Sequence, residues 1–488
     1  MRWHTISVTI LCLLQWKSNG ELTRLRREGD TRVVQLSLQR SKVQDPVARD
    51  RQRIRRRSGT MQAELDNLRT LYFFNASLGN PPQELRLHLD TGSSDLWVNT
   101  AGTYTANLSS TYEYINSHFN ISYVDGSSAQ GDYATDSFRF GDIGIDDFQF
   151  GIGYKSSSQQ GILGIGYPEN EVQVARSGER PYENLPTRLL ADKHIGTNAY
   201  SIWLDDINST TGSLLFGGVD SSQYRGNLVT VPVQKVGSSY REFFITMTGL
   251  DAGSKSIAND MALAVLLDTG SSLTYLPNDL ATSVYQAVNA TWFERSQLAI
   301  IPCDKALSDD TITFHFSKPA SISVQLRELV LPVVSANGRS PKLNDGRKAC
   351  LFGIFPSGKG ARVLGDTFLR SAYVVYDIAN NEVSLAQSNF DAKPSGSNVV
   401  EIGAGKNQLP DATVAPTPVA AKSAQLLSLI DAPTRHGLAL RKQIPDAQAG
   451  ALIDGCQEPT IKVQARGCQH PSVKGALDGK DGNHVRDK

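Results

Sequence analysis

The chain has 488 residues, more than one ordinary domain holds, so two or three hydrophobic cores are expected. Hydrophobic residues make up 40% and charged residues 20% of the sequence, a composition typical of a soluble globular protein. No apolar run approaches eighteen residues, which argues against a membrane span, and the formal net charge of zero hides an uneven distribution.

The first twenty residues predict a secretory signal peptide. Arg2 precedes an apolar stretch at residues 6–16, and small and polar residues follow at 18–20. The stretch is too short to span a membrane, and the alternative is an ordinary buried N-terminal segment.

Residues 21–57 form a basic segment with twelve Arg or Lys against five Asp or Glu. Together with Arg2 and Lys17, it leaves an excess of nine negative charges on residues 58–488. It ends in RQRIRRR at 51–57, which could be a nucleic-acid patch, a solvated cluster or a processing site. Behind a signal peptide we favour cleavage after Arg57. A basic propeptide attracted to an acidic body, and released by acid, by a protease that cuts at dibasic sites or by both, would make the protein a zymogen.

The body of the chain has the pattern of an all-β protein. Leu85, Leu87 and Leu89 alternate with polar residues at 86 and 88, which predicts a half-buried strand that leads into Asp90. Residues 262–267 are apolar throughout, as in a strand covered on both faces.

Short β-rich runs such as YVVYDI, SLLFGGV and ITFHF recur between turn residues, and only residues 186–194 and 279–293 have helical patterns. From residue 391 onward the composition shifts to Ala, Pro, Gly, Ser and Thr. Residues 391–488 are therefore expected to form a low-complexity, disordered tail.

Two nearly identical segments dominate the sequence: LHLDTGSSDL at 87–96 and LLDTGSSL at 266–273. Each places a carboxylate, Asp90 or Asp268, at a tight glycine-permitted turn after a strand. Each is also followed later in the chain by a segment with two apolar residues before a glycine, GILGIG at 161–166 and VLGDT at 363–367. This spacing is the pattern expected of a duplicated lobe. One such turn is common, but two in matched contexts predict paired catalytic carboxylates suited to acid/base chemistry on water.

The neighbouring residues fit this role. Gly92 and Gly270 would let backbone N–H groups approach each carboxylate. Ser93 and Ser271, three residues after each Asp, are placed to donate to the outer carboxylate oxygens. Ordinary turn chemistry is the alternative for these serines, and both interpretations can hold.

On these motifs the chain resembles the pepsin-like aspartic proteases, family A1, closest in pattern to the secreted fungal candidapepsin and yapsin group. The resemblance covers residues 71–390. It implies a bilobal all-β fold, with one DTG loop per lobe, a central cleft and a β-hairpin flap, and lobes at 58–234 and 235–390. It also implies that Thr91 and Thr269 lock the two loops together across the interface.

The resemblance extends to the flap. Tyr123, Gly126 and Ser127 match the family's Y-x-x-G-S pattern, and Trp97 stands where the family has a tryptophan that hydrogen-bonds the flap tyrosine. Taken alone, both aromatic residues could equally belong to the core. Asp125 resembles the acidic residue through which some fungal relatives accept Lys, and a solvated turn Asp is the alternative.

The cysteines and the sequons agree with secretion. Cys12 leaves with the signal peptide, a Cys303–Cys350 disulfide is expected, and Cys456 and Cys468 could form a second. A zinc site is the weaker alternative, because no C-x-x-C spacing occurs. The candidate N-glycosylation sites are Asn75, Asn107, Asn120, Asn208 and Asn289.

The sequence thus predicts a secreted aspartic endopeptidase that acts at acidic pH through Asp90 and Asp268. It is expected to be a monomer that acts on protein or peptide substrates, without cofactor or metal and without nucleic-acid or membrane partners. The cell wall or vacuole are alternative locations, and the ending GKDGNHVRDK does not support a GPI anchor.

The alternative function is an inactive pepsin-like binding or inhibitor protein, whose usual mark would be loss of Asp90, Asp268 or Tyr123; all three are present. The motifs H-E-x-x-H and G-x-S-x-G are absent. One departure from the family is the loop at 99–112, which is short and has no cysteine.

Overall fold

The structure is a computed structural model that describes residues 32–43, 68–100, 103–122, 128–156, 160–333, 340–392 and 398–422. These residues form mostly β-strands with a few short helices, in the bilobal all-β arrangement that the sequence predicts.

The strands of the N-terminal part are β1 (Val34–Val43), β2 (Leu68–Leu78), β3 (Gln83–Asp90), β4 (Leu96–Asn99), β5 (Glu113–Ser122), β6 (Ser128–Phe140), β7 (Ile143–Ser156), β8 (Ile162–Gly164), β9 (Ala199–Trp203), β10 (Thr211–Phe216), β11 (Gly218–Asp220) and β12 (Tyr224–Pro232).

The later strands are β13 (Phe244–Met247), β14 (Gly249–Ala252), β15 (Lys255–Ala258), β16 (Leu263–Leu267), β17 (Thr274–Leu276), β18 (Thr291–Phe293), β19 (Leu298–Pro302), β20 (Thr311–His315), β21 (Ser321–Gln325), β22 (Val330–Pro332), β23 (Ala349–Phe352), β24 (Ile354–Pro356), β25 (Val363–Leu364), β26 (Ala372–Asp377), β27 (Glu382–Ser388), β28 (Val399–Glu401) and β29 (Ala412–Val414). The α-helices are α1 (Leu185–Ala191), α2 (Asn278–Val288), α3 (Leu326–Leu329) and α4 (Asp366–Leu369).

A large sheet runs through the molecule in the order β29-β12-β27-β26-β9-β10-β1-β2-β3-β8-β4-β7-β6-β5. In the first half of this order, strands from the C-terminal part of the chain lie among strands from the N-terminal part. For example, β26 and β27 lie between β12 and β9. Three smaller sheets of five, four and four strands build the C-terminal lobe from β13 to β25. The shared sheet therefore connects the two lobes.

Each lobe contains the same local arrangement around its Asp-Thr-Gly segment. In the first, β3 pairs in parallel with β8, which also pairs antiparallel with β4. In the second, β16 pairs in parallel with β25, which also pairs antiparallel with β17. The glycine that ends β8 is needed for close approach: a Cβ on Gly164 would lie 2.6 Å from the backbone nitrogen of Ser94. The duplicated motifs of the sequence thus form one arrangement per lobe.

The strand that leads into Asp90 differs from the expectation of a half-buried strand. Burial alternates up to Leu87, but His88 is buried as well. The end of β3 lies between β2 and β8, and the His88 ring lies 5.8 Å from the ring of Phe73. The ring contact with Phe73, which periodicity does not reveal, contributes to the burial of His88.

The helical predictions are right in place but differ in length. Helix α1 begins one residue before the predicted segment and ends at Ala191. Helix α2 ends at Val288, because Asn289 adopts a left-handed conformation with φ of 59°, and the rest of the predicted helix becomes β18. A left-handed residue at this position is a common helix C-terminus.

Part of the predicted basic propeptide is an interior strand. β1 pairs with β10 on one side and β2 on the other, and the side chains of Val34, Leu36 and Leu38 are buried. A guanidinium nitrogen of Arg40 donates to the carbonyls of residues 206, 207 and 209. Apolar packing and backbone bonding, more than net charge, hold this stretch in place.

Residues 398–422, which the sequence assigned to the disordered tail, differ from that expectation. β28 pairs antiparallel with β11, and β29 pairs in parallel with β12. Ala415 is buried, so this stretch extends the ordered body beyond residue 391. Across the described residues, no helix is long and apolar enough to cross a membrane.

Candidate active site

The two aspartates of the repeated segments occupy equivalent positions at the lobe interface. Asp90 is the last residue of β3, and Asp268 directly follows β16. Both side chains are fully buried. The strands end there because the glycine two residues on, Gly92 or Gly270, folds its backbone N–H back onto Oδ1 of the aspartate, at 2.9 and 2.8 Å.

The two carboxylates face the same small space. A Cβ on Gly92 would lie 2.6 Å from Oδ1 of Asp268 and 3.3 Å from Oδ1 of Asp90. Only glycine leaves room here for both oxygens. The inner oxygens of the two carboxylates are therefore close enough to act on one bound molecule.

The outer oxygens are held by hydroxyl groups, as the sequence predicted for the serines. Ser93 Oγ donates to Oδ2 of Asp90 at 2.7 Å, and Ser271 Oγ donates to Oδ2 of Asp268 at 2.6 Å. Each carboxylate thus accepts one backbone and one hydroxyl hydrogen bond. Hydrogen bonds to a carboxylate favour its ionised form, while burial and a second carboxylate nearby favour a shared proton.

Two threonines join the loops in a symmetric exchange of hydrogen bonds. Thr91 Oγ1 accepts from the backbone N–H of Thr269 at 3.0 Å and donates to the carbonyl of Leu267 at 3.0 Å. Thr269 Oγ1 accepts from the backbone N–H of Thr91 at 3.1 Å and donates to the carbonyl of Leu89 at 3.0 Å. These four buried bonds fix one aspartate relative to the other.

Replacing Thr91 by valine is expected to lower the free energy of unfolding by about 1–3 kcal/mol, because the isosteric side chain leaves the Thr269 amide without its acceptor. Chemical denaturation would measure the loss. Thr413→Val is the matched control, since Thr413 is exposed on β29. Loss of its hydroxyl group should lower the free energy of unfolding by at most about 0.5 kcal/mol. Equal stability of the two variants would show that the exchange does not hold the loops together.

The short cysteine-free loop after β4 is organised by a buried carboxylate. Asp136, on β6, accepts hydrogen bonds from Tyr104 at 2.5 Å, Ser109 at 3.0 Å and Thr111 at 2.5 Å. The backbone N–H of Ser137 adds a fourth bond at 2.8 Å. Polar bonding to Asp136 thus shapes this part of the loop.

The flap residues Tyr123, Asp125, Gly126 and Ser127 lie outside the described residues. The hairpin strands that lead to them, β5 and β6, are described and pair from Glu113 to Ser128. Trp97 is buried on β4, with its ring 6.3 Å from that of Phe119 on β5. The tryptophan therefore packs against the base of the hairpin, and its bond to a flap tyrosine stays a prediction.

The remaining predicted sites are distributed over the surface and the C-terminal lobe. Cys303 and Cys350 form a disulfide between the end of β19 and β23. Arg57, Cys456 and Cys468 lie outside the described residues. The candidate glycosylation sites Asn75, Asn107, Asn208 and Asn289 are exposed, and Asn120 is half-buried.

Sequence reasoning missed several residues around the first loop. Ser94 Oγ donates to the carbonyl of Tyr167 at 2.6 Å, and Asn170 Nδ2 donates to the carbonyl of Gly92 at 3.3 Å. Asp95 accepts hydrogen bonds from three donors. A signal for Asp95 was available, because the repeat reads DTGSSD in the first lobe and DTGSSL in the second.

Within the described ranges, no group of three or more His, Cys, Asp or Glu side chains lies together in a way that could hold a metal ion. The chemistry that the site offers comes from the two carboxylates and the groups that bond to them. Such a pair can take a proton from a bound water and give one to an adjacent carbonyl oxygen.

Comparison with protein families gives a match over residues 71–388 to the model described as "Eukaryotic aspartyl protease". Among curated proteins, the chain is 46% identical to "Probable aspartic-type endopeptidase opsB" of Aspergillus fumigatus, over 84% of this chain and 87% of that protein. It is 37% identical to "Secreted aspartic protease 1" of Candida albicans, over 69% of this chain and 85% of that protein.

Among solved structures, the chain is similar to an aspartic proteinase from Irpex lacteus, with a TM-score of 0.56 and 24% sequence identity. The similarity covers 66% of this chain and 95% of the Irpex chain. At this identity the likeness concerns the fold, which agrees with the two-lobed arrangement described above.

Proposed function

This chain belongs to the eukaryotic aspartyl protease family and is an aspartic-type endopeptidase, and from that premise we propose that it is secreted and hydrolyses peptide bonds at acidic pH through a water held by Asp90 and Asp268. The observation that carries the proposal is the placement of both Oδ1 atoms around one position beside Gly92. The curated relatives that are named as secreted or acid proteases support the location and the pH range.

The mechanism follows from the closeness of the two carboxylates. Two buried carboxylates that share a small space cannot both ionise at low cost, so the pair holds one proton. The ionised member takes a proton from the bound water, while the protonated member donates to the carbonyl oxygen of the substrate. Water adds to the carbonyl carbon to give a tetrahedral diol, and no covalent enzyme intermediate forms. The proton belongs to the pair rather than to one aspartate.

The substrate is a protein or peptide that lies extended across the cleft. An extended peptide presents its backbone N–H and C=O groups on alternating sides and can be held mainly through them. We propose that the hairpin of β5 and β6 closes over this peptide through Tyr123, Asp125, Gly126 and Ser127. The buried Trp97 would support the hairpin from below.

The maturation proposal is a signal peptide at 1–20 and a propeptide at 21–57 that is cut after Arg57. Since β1 lies within the large sheet, removal of the propeptide has to break or replace its pairing with β2 and β10. N-terminal sequencing of the active protein tests the proposal. A start at Ser58 is expected, and a start before Val34 would show that β1 belongs to the mature enzyme.

The pH dependence of hydrolysis tests the proposed mechanism. Because the dyad needs one proton, activity on a denatured protein should be high near pH 3–4 and should fall as rising pH removes that proton. The measurement is the rate of appearance of new amino termini between about pH 3 and 7, with the processed protein. An activity that increases steadily towards pH 7 would contradict the shared proton.

A further inference from the structure

Strand β1, which lies before the proposed cut at Arg57, is bonded to the body of the protein over its whole length. It pairs with β10 from Val34 to Gln39 and with β2 from Gln39 to Val43. In the large sheet it lies between these two strands. A strand inside a sheet bonds to its neighbours through backbone N–H and C=O groups. The cut at Arg57 breaks none of these bonds.

One face of β1 is apolar and buried. The side chains of Val34, Leu36 and Leu38 are at most 5% exposed, and that of Val33, just before the strand, is 3% exposed. Ser37, between two of them, is exposed. Removal of β1 would return four apolar side chains to water, which is unfavourable whether or not the chain continues beyond Arg57.

Two glycines of the body leave the space that the start of this segment fills. A Cβ on Gly218 would lie 2.6 Å from a methyl carbon of Val33, and a Cβ on Gly217 would lie 2.8 Å from the carbonyl oxygen of Arg32. Gly217 also has φ of 74°, a conformation that favours glycine. The body thus has a shaped place for this segment.

Arg40 holds the other end of β1. Its Nη1 donates to three carbonyls of the loop at 206–209, at distances from 2.6 to 3.3 Å. Its backbone N–H donates to the carbonyl of Thr210 at 2.8 Å. The guanidinium also interacts electrostatically with the buried carboxylates of Glu328 and Asp366. Departure of β1 would therefore remove a hydrogen-bond donor from the loop and a positive charge from two buried carboxylates.

Acid has little to act on in these contacts. Backbone pairs, apolar side chains and the carbonyl partners of Arg40 do not change charge between about pH 3 and 7. At the exposed end, Nε of Arg32 lies 3.5 Å from Oε1 of Glu401, and acid would weaken this bridge, but surface ion pairs contribute little. The titratable groups near Arg40 are Tyr72, Glu328 and Asp366. Their protonation leaves the carbonyl bonds of Arg40 intact.

We propose that the segment with β1 stays bound after the cut at Arg57, so that the mature enzyme consists of two chains held together by β1. This inference rests on the proposed maturation and not on the dyad. In the sheet, β2 separates β1 from β3, the strand that leads into Asp90, so a retained β1 does not take a place beside that strand. Amino-terminal sequencing of the mature enzyme then gives two sequences, one for each chain.

Gel filtration of the cut protein tests the retention. The full chain is used as Asp90→Asn, so that it does not digest the fragment. An added protease that cuts after paired basic residues makes the cut, and mass spectrometry of the denatured sample verifies that it follows Arg57. We expect the fragment to elute together with residues 58–488 at both pH 4 and pH 7. A fragment that elutes separately at either pH, as when residues after Arg57 take the place of β1, overturns the proposal.

A change of Leu36 to alanine tests the apolar contact. The uncut linker keeps β1 at a high effective concentration, so the variant should fold as a precursor. After the cut, its fragment should dissociate at least about thirtyfold faster than that of the parent protein, because loss of a buried leucine side chain acts mainly on the dissociation rate. Ser37→Ala is the matched control, since Ser37 is exposed, and its rate should equal that of the parent. Equal rates for the two variants contradict the proposal.

A change of Arg40 to methionine gives a second test, which also serves if Leu36→Ala does not fold. The variant loses the bonds to the loop at 206–209, so dissociation should accelerate at least about tenfold. Arg32→Met is its control, because the bridge of Arg32 is exposed, and it should change the rate less than about threefold. If Arg40→Met and Arg32→Met dissociate equally fast, the proposal is wrong. None of these measurements involves peptide hydrolysis, so a failure of the dyad mechanism would leave them unchanged.

Discussion

Asparagine in place of Asp90 is expected to lower kcat by at least about 10³-fold, since the pair loses both the general base and the shared proton. Asn retains the size of the side chain and can still accept the Gly92 amide bond and contact Ser93. The protein should therefore fold normally. Asp268→Asn should give a loss of similar size, because the two carboxylates have matching bonds to Gly270 and Ser271.

The control for this prediction is Asp142→Asn, which changes an exposed carboxylate in the turn between β6 and β7. Its kcat should equal that of the wild type. Initial rates at the acidic optimum and circular dichroism spectra would be recorded for all variants. A kcat for Asp90→Asn within about tenfold of the wild type would remove Asp90 from the mechanism.

Methionine in place of Arg370 is expected to lower the free energy of unfolding by about 3–5 kcal/mol, since the change leaves the buried Glu328 carboxylate with only the more distant Arg327, at 3.8 Å, as a cation. Arg370 Nε lies 2.6 Å from Oε2 of Glu328, both side chains are fully buried, and the guanidinium also donates to the Glu328 carbonyl. The pKa of Arg370 is raised: burial, the largest single effect, would lower it, but the charge and hydrogen bond of Glu328 together with Tyr72 and Asp366 more than offset that effect. Glu328 Oε1 accepts from the backbone N–H of Ile207 at 3.2 Å, so the pair joins α3 and α4 to the loop before β10.

The double variant Glu328→Gln/Arg370→Met distinguishes the effect of the unpaired Glu328 charge from the effect of the packing lost with the Arg370 side chain. Removing both charges leaves no unpaired ion, so the double variant should be more stable than Arg370→Met alone. Urea denaturation at pH 5 measures the difference. A double variant that is less stable than the single one would show that the interaction between the two charges is not the main contribution.

The central features of the site could be predicted because they depend on local sequence. A strand that ends at Asp-Thr-Gly fixes the carboxylate, the backbone donor and the serine donor within four residues, and the repeat indicated that two such turns would meet. Asp90, Asp268, Ser93 and Ser271 lie as expected. The expected Cys303–Cys350 disulfide is also present.

The features that sequence reasoning missed depend on contacts between distant segments. Asp95 and Tyr133 are 38 residues apart, and the bond from Tyr104 in the loop after β4 to Asp136 on β6 likewise joins distant segments. The burial of His88 required knowledge that Phe73 lies opposite it on β2. Low-complexity composition concealed the pairing of residues 398–422, since a short strand added at a sheet edge is held mainly by backbone bonds.

The most direct test of the dyad is calorimetric titration of the processed protein with a statine-type inhibitor, whose hydroxyl group occupies the place of the attacking water. We expect one inhibitor per molecule at acidic pH, bound at least about 10²-fold more tightly than a substrate of the same length. Binding to Asp90→Asn should be weaker by a similar factor. Equal affinity for the wild type and Asp90→Asn, or no binding to either, would contradict a water held between Asp90 and Asp268.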